Sequence, residues 1–127
     1  MRVTFRLAKP TPLLNVTYRQ HWRVRRKHQV ALAWECRAAL AGQMPAAPFE
    51  RAHIRIVRCS SGTPDDDNLV GGTKGLVDVL CSPTRHPLGI GLIFDDDPSR
   101  LTREVVAWRV PRADQCTIVT VTELAHV

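Results

Sequence analysis

The chain has 127 residues, a length that suits one small domain with a single hydrophobic core. Apolar residues make up 44% of it, which is ordinary for a globular protein, and none of their runs is long enough to span a bilayer. The composition therefore argues against a membrane protein and in favour of a globular one.

The charge is distributed unevenly along the chain. The formal net charge is +6, from 18 basic and 12 acidic side chains. Six of the acids lie in two runs, at residues 65–67 and 95–97; without them, six acids face 18 bases, a balance of +12. Arginine supplies 15 of the bases, and its planar guanidinium contacts phosphate through two hydrogen bonds. We therefore expect a nucleic acid as partner; the alternative is a charge that serves only solubility.

The first part of the chain predicts a strand, a connecting segment and a helix. Residues 2–7 alternate apolar and polar side chains, which is typical of a half-buried strand and unlike the apolar block of a signal peptide. Residues 13–18 predict a loop or a short extended piece. Residues 28–41 place apolar side chains at helical spacing, so we expect a helix there, with Trp34 in the core.

A basic segment lies between that connecting segment and the predicted helix. It contains five Arg and Lys residues together with His21 and Trp22. Such a segment can follow a phosphate backbone while an aromatic ring stacks on an unpaired base. A core position is the favoured alternative for Trp22. The predicted nucleic-acid contacts are Arg19, His21, Trp22, Arg23, Arg25, Arg26 and Lys27.

The second part of the chain predicts further strands around a central helix. Residues 52–60 alternate as a strand, and a helix is expected to begin near Asn68. Residues 92–94 predict a short buried strand that ends in acids. Residues 103–110 and 116–122 alternate on either side of a turn and predict a C-terminal hairpin. This order indicates an α+β fold for residues 1–127, one domain with a mixed β-sheet and two main helices.

The central helix is predicted to present two different faces. Asp67, Lys74 and Asp78 fall on one side of a helical wheel, and Lys74 and Asp78 can pair at a spacing of four residues. Three leucines fall on the opposite side and predict a buried stripe. Three glycines weaken the helix and suggest the close approach of another backbone or a second subunit. The leucines are Leu69, Leu76 and Leu80, and the glycines are Gly71, Gly72 and Gly75.

Two acidic runs on separate elements predict a divalent-metal site. Consecutive aspartates repel one another, so a fold tolerates them where they cap a helix or surround a cation. Mg²⁺ prefers carboxylate oxygens and supports phosphodiester hydrolysis, and a nearby lysine could stabilise the developing charge. A calcium loop of the EF-hand type is excluded, because Leu69 and Leu76 occupy ligand positions.

The four cysteines are scattered and form no C-x-x-C pair, so we expect reduced thiols in a cytoplasmic protein. A zinc site would need ligands clustered more tightly along the chain.

The acidic motifs resemble those of the RusA family of Holliday junction resolvases, small nucleases frequent in phages and prophages. The opening segments Pro-Leu-Leu-Asn and Arg-Gln-His-Trp also resemble phage members, so the likeness spans most of the chain. The acidic part consists of Asp-Asp-Asp-Asn-Leu at 65–69, Lys74, Asp78 and Gly-Leu-Ile-Phe-Asp-Asp at 91–96.

The resemblance implies a RusA-like, Mg²⁺-dependent homodimer, with Mn²⁺ as a substitute, that introduces paired nicks into four-way DNA junctions in a bacterial or phage-infected cell. It implies metal ligands at Asp65, Asp67 and Asp96, with Asp95 or Asp97 in the place of Asp96 if the register shifts. Lys74 would assist catalysis. The alternatives are a related metal nuclease acting on other branched DNA or RNA, and a non-catalytic basic DNA-binding module.

Overall fold

The structure is a computed structural model, and it describes residues 1–125. It has an α+β fold in one domain, with a four-stranded mixed sheet, which confirms the predicted fold class and mixed sheet. In chain order the elements are β1 (Arg2–Leu7), α1 (Leu14–Arg19), α2 (Trp22–Ala39), β2 (Ala52–Ser60), α3 (Asp66–Gly71), α4 (Lys74–Leu80), β3 (Leu101–Arg109), a 3₁₀ turn (Arg112–Asp114) and β4 (Cys116–Glu123).

The strands are arranged in the order β1-β4-β2-β3. β4 pairs antiparallel with both β1 and β2, whereas β3 pairs parallel with β2. The predicted C-terminal hairpin is therefore wrong, because β3 and β4 lie on opposite sides of β2. Burial gives the physical reason: β2 and β4 bury side chains on both faces, which suits central strands, whereas β3 is mostly exposed, which suits an edge.

The core lies between one face of the sheet and helices α2 and α4. Val3, Ile54 and Val119 point into it from three different strands. The leucine stripe predicted for the central helix is confirmed, since Leu69, Leu76 and Leu80 are all buried. The acidic and basic side chains of α4 are thereby directed away from the core.

Two helical predictions need correction. Residues 13–18 contain α1 rather than a loop, and α2 begins at Trp22, six residues earlier than expected. The core positions expected for Trp22 and Trp34 are wrong, since these side chains are 57% and 66% exposed. Their rings lie under Arg23 and Arg37, at 5.3 and 5.1 Å from the guanidinium carbons, so cation–π contacts replace core packing.

The single helix expected from Asn68 onwards is divided into α3 and α4. The break is at Gly72, where a Cβ atom would overlap the carbonyl oxygen of Pro12. The predicted close approach of another backbone is therefore confirmed at Gly72. Residues 92–94 form only an isolated parallel bridge, between Ile93 and Phe49, rather than the expected strand.

All four cysteines are free and buried, which confirms the expectation of unpaired thiols. No helix within residues 1–125 combines the length and apolar character needed to cross a lipid bilayer.

Candidate metal centre and adjoining basic groove

The loop that follows α4 brings distant parts of the chain together. Cys81 ends the helix, and the loop returns along it through hydrogen bonds from Ile90 N to Val79 O (2.8 Å) and from Leu92 N to Leu80 O (3.0 Å). The next residues run beside the start of the loop, where Ser82 N donates to Phe94 O at 3.3 Å. The second acidic run therefore begins next to the end of α4.

Four side chains with metal-binding groups converge at this place. Cys81, His86, Asp95 and Asp96 each offer one ligand atom, and these atoms all lie within 4.8 Å of one another. His86 Nε2 is 3.9 Å from Asp95 Oδ1 and 3.8 Å from Asp96 Oδ1. Cys81 is buried, and the other three are partly exposed. The four residues, called the ligand cluster below, could hold one divalent ion.

Asp78 lies at the edge of the ligand cluster. Its Oδ1 atom is 3.8 Å from His86 Nε2 and 3.6 Å from Lys74 Nζ, which confirms the predicted pairing of Lys74 with Asp78. That oxygen is buried and, among the described residues, has no hydrogen-bond partner. A buried carboxylate oxygen of this kind costs free energy unless a cation is near; Lys74 supplies one, and an ion held by the cluster would supply another.

Two arginines face the carboxylates from outside. Arg85 Nε is 3.7 Å from Asp95 Oδ2, and an Arg103 side-chain nitrogen is 3.8 Å from Asp96 Oδ2. The same Arg103 nitrogen donates to the Asp96 carbonyl oxygen at 3.1 Å. These cations offset the mutual repulsion of the carboxylates and fix the backbone of Asp96.

The Cys81 thiol is a neutral group in these surroundings. Burial raises its pKa to about 12, and the negative charges of Asp96, Asp78 and Asp95 act in the same direction. The thiol donates a hydrogen bond to Val77 O, with a sulfur-to-oxygen distance of 3.3 Å.

Asp97 is separated from the ligand cluster by its own turn. Its Oδ1 accepts hydrogen bonds from Ser99 N (2.8 Å) and Ser99 Oγ (2.6 Å), and Oδ2 is 3.8 Å from Arg100 Nε. The bonds from Ser99 lower the pKa of Asp97. In the second acidic run, Asp95 and Asp96 therefore carry the metal-binding geometry.

The first acidic run lies at the start of α3. Asp65 caps this helix, with Oδ1 accepting from Asn68 N and Oδ2 from Asn68 Nδ2, both at 2.9 Å. Asp66 and Asp67 occupy the exposed first turn. Within residues 1–125, neither Asp65 nor Asp67 belongs to the ligand cluster. Among the predicted catalytic residues, Asp96 and Lys74 are linked by a series of charged contacts. Lys74 contacts Asp78, Asp78 contacts His86, and His86 contacts Asp96.

A groove runs from the sheet edge, at Leu7 and Thr117, to Asp78 at the edge of the ligand cluster. Its volume is about 960 Å³, and helices α1, α2 and α4 line it. Tyr18 and Trp22, which are 81% and 57% exposed, stand on its wall. A smaller cavity of about 100 Å³, lined by His86, shares Arg26 and Asp78 with the groove. The groove and the ligand cluster therefore adjoin at Asp78.

The predicted nucleic-acid contacts are all exposed and lie beside this groove. Arg19 ends α1, His21 caps α2, and the other five are among the first six residues of α2. No acid lies in the first turn of α2, although the N-terminus of a helix carries partial positive charge. Four cations at that end repel one another and the helix dipole, and a bound polyanion would relieve this repulsion. They are Arg23, Arg25, Arg26 and Lys27.

Sequence reasoning missed Cys81, His86 and Arg103 as parts of the site. The position of Cys81 and His86 in the sequence could have indicated two of them. Both lie between Asp78 and Asp95, within a connector that must fold back for the apolar residues 92–94 to reach the core. The expectation that zinc ligands lie close together along the chain excluded Cys81 and His86. These residues instead approach the aspartates in space, because the loop folds back.

Comparison with known proteins gave no assignment: no protein-family model matches the chain, and no curated protein is significantly similar to it in sequence.

Proposed function

We propose that the chain is a metal-dependent endonuclease that cuts branched DNA, and that it resolves four-way junctions as RusA-type resolvases do. The observation that carries this proposal is the position of the ligand cluster beside a groove lined by basic and exposed aromatic side chains, with Asp78 at the edge of both. Carboxylates that can hold a divalent ion support phosphodiester hydrolysis, and the groove offers a path for a polyanion.

The oxygen donors of the cluster fit Mg²⁺. Asp95 and Asp96 are partly exposed, and the Oδ1 atom of Asp78 has no hydrogen-bond partner among the described residues. Mg²⁺ prefers such carboxylates and keeps several of its waters, so partial exposure suits it. Bound there, Mg²⁺ would neutralise charge at the scissile phosphate and lower the pKa of a coordinated water.

The residues around the cluster supply positioning and charge. Lys74 is 71% exposed at the side chain, so its amine can leave Asp78 and approach a phosphate in the groove. Arg26 lines both the groove and the cavity beside His86, where it can hold a neighbouring phosphate. Trp22 and Tyr18 can stack on bases whose stacking is interrupted at a branch point, which a continuous duplex does not offer.

A homodimer is part of this proposal. A four-way junction has two-fold symmetry, and paired nicks need two active sites related by that symmetry. One chain has one ligand cluster among its described residues. Light scattering on the purified protein should therefore give twice the 14.2 kDa mass of the chain, and a monomer mass at working concentration would count against paired cutting.

The test of the proposed activity is the mapping of cleavage products. A labelled four-way junction, a flap, a linear duplex and an RNA hairpin are incubated with the protein and Mg²⁺. Symmetric nicks in the junction alone support junction resolution. Cleavage of the flap or the RNA instead would support the related nuclease.

The position of Asp65 favours the non-catalytic DNA-binding module as the second candidate. Its two carboxylate oxygens already serve as a helix cap, a purely structural role for part of the acidic run. The variant Asp67→Asn separates the two possibilities at this run. If Asp67→Asn loses cleavage but binds the junction normally, Asp67 has a role in the reaction. If the wild-type protein binds the junction but does not cut it in Mg²⁺ or in Mn²⁺, the binding module is favoured.

A further inference from the structure

The donor set of the ligand cluster is unusual for a site that serves Mg²⁺ alone. Mg²⁺ takes oxygen ligands in octahedral geometry, and it would leave the Cys81 sulfur and the His86 nitrogen unused. A sulfur, an imidazole nitrogen and two carboxylate oxygens are the kinds of donor that a borderline ion such as Zn²⁺ accepts. They also number four, which is the count that a closed tetrahedral site requires.

We propose that Cys81, His86, Asp95 and Asp96 form a site for a thiophilic divalent ion of the Zn²⁺ class, bound through the Cys81 thiolate. The proposal concerns ion binding and holds whether or not the protein cuts DNA. If the protein does cut DNA, such an ion would occupy the carboxylates that Mg²⁺ needs, and would inhibit the enzyme.

The geometry needs only a small closure to reach tetrahedral coordination. With metal–ligand distances of about 2.0–2.3 Å, tetrahedral donor atoms lie roughly 3.3–3.8 Å apart. The four donor atoms already lie within 4.8 Å of one another. His86 and Asp95 belong to a loop and to the segment that follows it, where side-chain rotation can close a difference of about 1 Å. Binding would form a metal–sulfur bond and release the Cys81 proton to solvent.

Burial and charge also favour an ion at this place. Cys81 has no exposed surface, so a metal–thiolate bond would be shielded from water and oxidants, while His86 is 28% exposed at the side chain and offers a route of entry. Asp78 Oδ1, which has no hydrogen-bond partner among the described residues, lies 3.8 Å from His86 Nε2, where it can orient the ring or act as a further oxygen donor. Three carboxylates around one point attract a dication.

The test is a titration of the metal-free full chain with Co²⁺, a spectroscopic probe for Zn²⁺ sites. The wild type should bind one equivalent, give the intense visible absorption of tetrahedral Co²⁺ and show a near-ultraviolet thiolate-to-metal band. Added Zn²⁺ should abolish both signals. Weak octahedral absorption without a thiolate band at saturating Co²⁺ would overturn the proposal.

Matched variants identify the sulfur. Cys81→Ser should lose the thiolate band, whereas Cys116→Ser, which changes another buried cysteine outside the cluster, should keep it. Persistence of the band in a folded Cys81→Ser protein would overturn the proposal. If Cys81→Ser does not fold, His86→Gln serves instead, and it should weaken Co²⁺ binding at least about tenfold; unchanged affinity would contradict the site. Because light absorption by the ion is measured, failure here is distinct from failure of DNA cleavage.

Discussion

Asp95, Asp96 and Asp97 are neighbours in the chain, but their carboxylates have different surroundings. Asp95 and Asp96 face His86, with the ligand oxygens 3.8–3.9 Å from its Nε2 atom. Asp97 accepts two hydrogen bonds from Ser99 and lies beside Arg100. Substitution of Asp95 or Asp96 is therefore expected to weaken ion binding, whereas substitution of Asp97 is not, since only the first two carboxylates can meet an ion together with the histidine.

Gly72 and Gly75 also differ at the scale of single atoms. Gly72→Ala should destabilise the protein by about 1–3 kcal/mol, because the added methyl would overlap the Pro12 carbonyl. Gly75→Ala places its methyl 3.8 Å from the Gln29 side chain, an ordinary contact, and should stabilise α4 by up to about 1 kcal/mol. Urea unfolding measures both changes; equal shifts in the same direction would contradict the close approach at Gly72.

Because the Cys36 thiol is buried, we expect the protein to lose stability at alkaline pH. Burial, and secondarily Glu35, raises the pKa of its thiol from 9.0 to about 12. The folded state therefore holds this proton more tightly than the unfolded state, so the stabilisation is complete below pH 9 and is lost as the pH rises towards 12. The free energy of unfolding should fall in that window by up to about 1.4 kcal/mol per pH unit for this thiol.

The variant Cys36→Ala isolates this contribution. Urea unfolding at several pH values above 9 should show a shallower decrease for the variant than for the wild type, because Cys81 still contributes a slope of the same sign. Parallel pH profiles for the two proteins would contradict the assignment to Cys36.

At the scale of elements, α2 combines an anchored half and an exposed half. Its buried residues are Ala33 and Cys36, and the first six residues are exposed and largely basic. A helix that begins with cations opposes its own dipole, so packing of the second half must supply the stabilisation. The sequence predicted only this second half, because periodic apolar residues begin there.

Arg26 tests the role of the exposed half. Arg26→Gln should weaken binding to a four-way junction several-fold and reduce the salt dependence of binding by about one phosphate contact. Arg112→Gln, on the exposed 3₁₀ turn, is the control and should change neither quantity much. Fluorescence anisotropy without divalent metal, at several salt concentrations, measures both. Equal effects of the two substitutions would mean that only total charge matters.

Strand existence was largely predictable, but strand pairing was not. Alternation in residues 2–7, 52–60, 103–110 and 116–122 located the four strands that the sheet contains. Alternation carries no information about neighbours, and the short turn between β3 and β4 favoured a hairpin. Pairing depends instead on burial: β4, which lies between β1 and β2, buries four of its eight side chains, whereas the edge strand β3 buries one of nine.

At the scale of the whole molecule, the charge pattern and the site were predictable to different extents. The basic surface was predictable from composition, and the expected metal-ligand role of Asp95 or Asp96 was predictable from the acidic motif. The contribution of His86 does not, because it depends on the path of a loop that no periodicity describes. The exclusion of Asp65 from the ligand cluster also depends on tertiary structure, since Asp65 caps the start of α3 whereas the cluster lies beyond the end of α4.

We propose that Asp96 belongs to a metal centre that cuts DNA, and a comparison of Asp96→Asn with Asp97→Asn tests this role most directly. Both remove one negative charge from the same acidic run. The rate of four-way junction cleavage in Mg²⁺ should fall by two or more orders of magnitude in Asp96→Asn, corresponding to several kcal/mol of lost transition-state stabilisation, and should change little in Asp97→Asn. Wild-type rates in Asp96→Asn, or equal losses in both variants, would contradict the account.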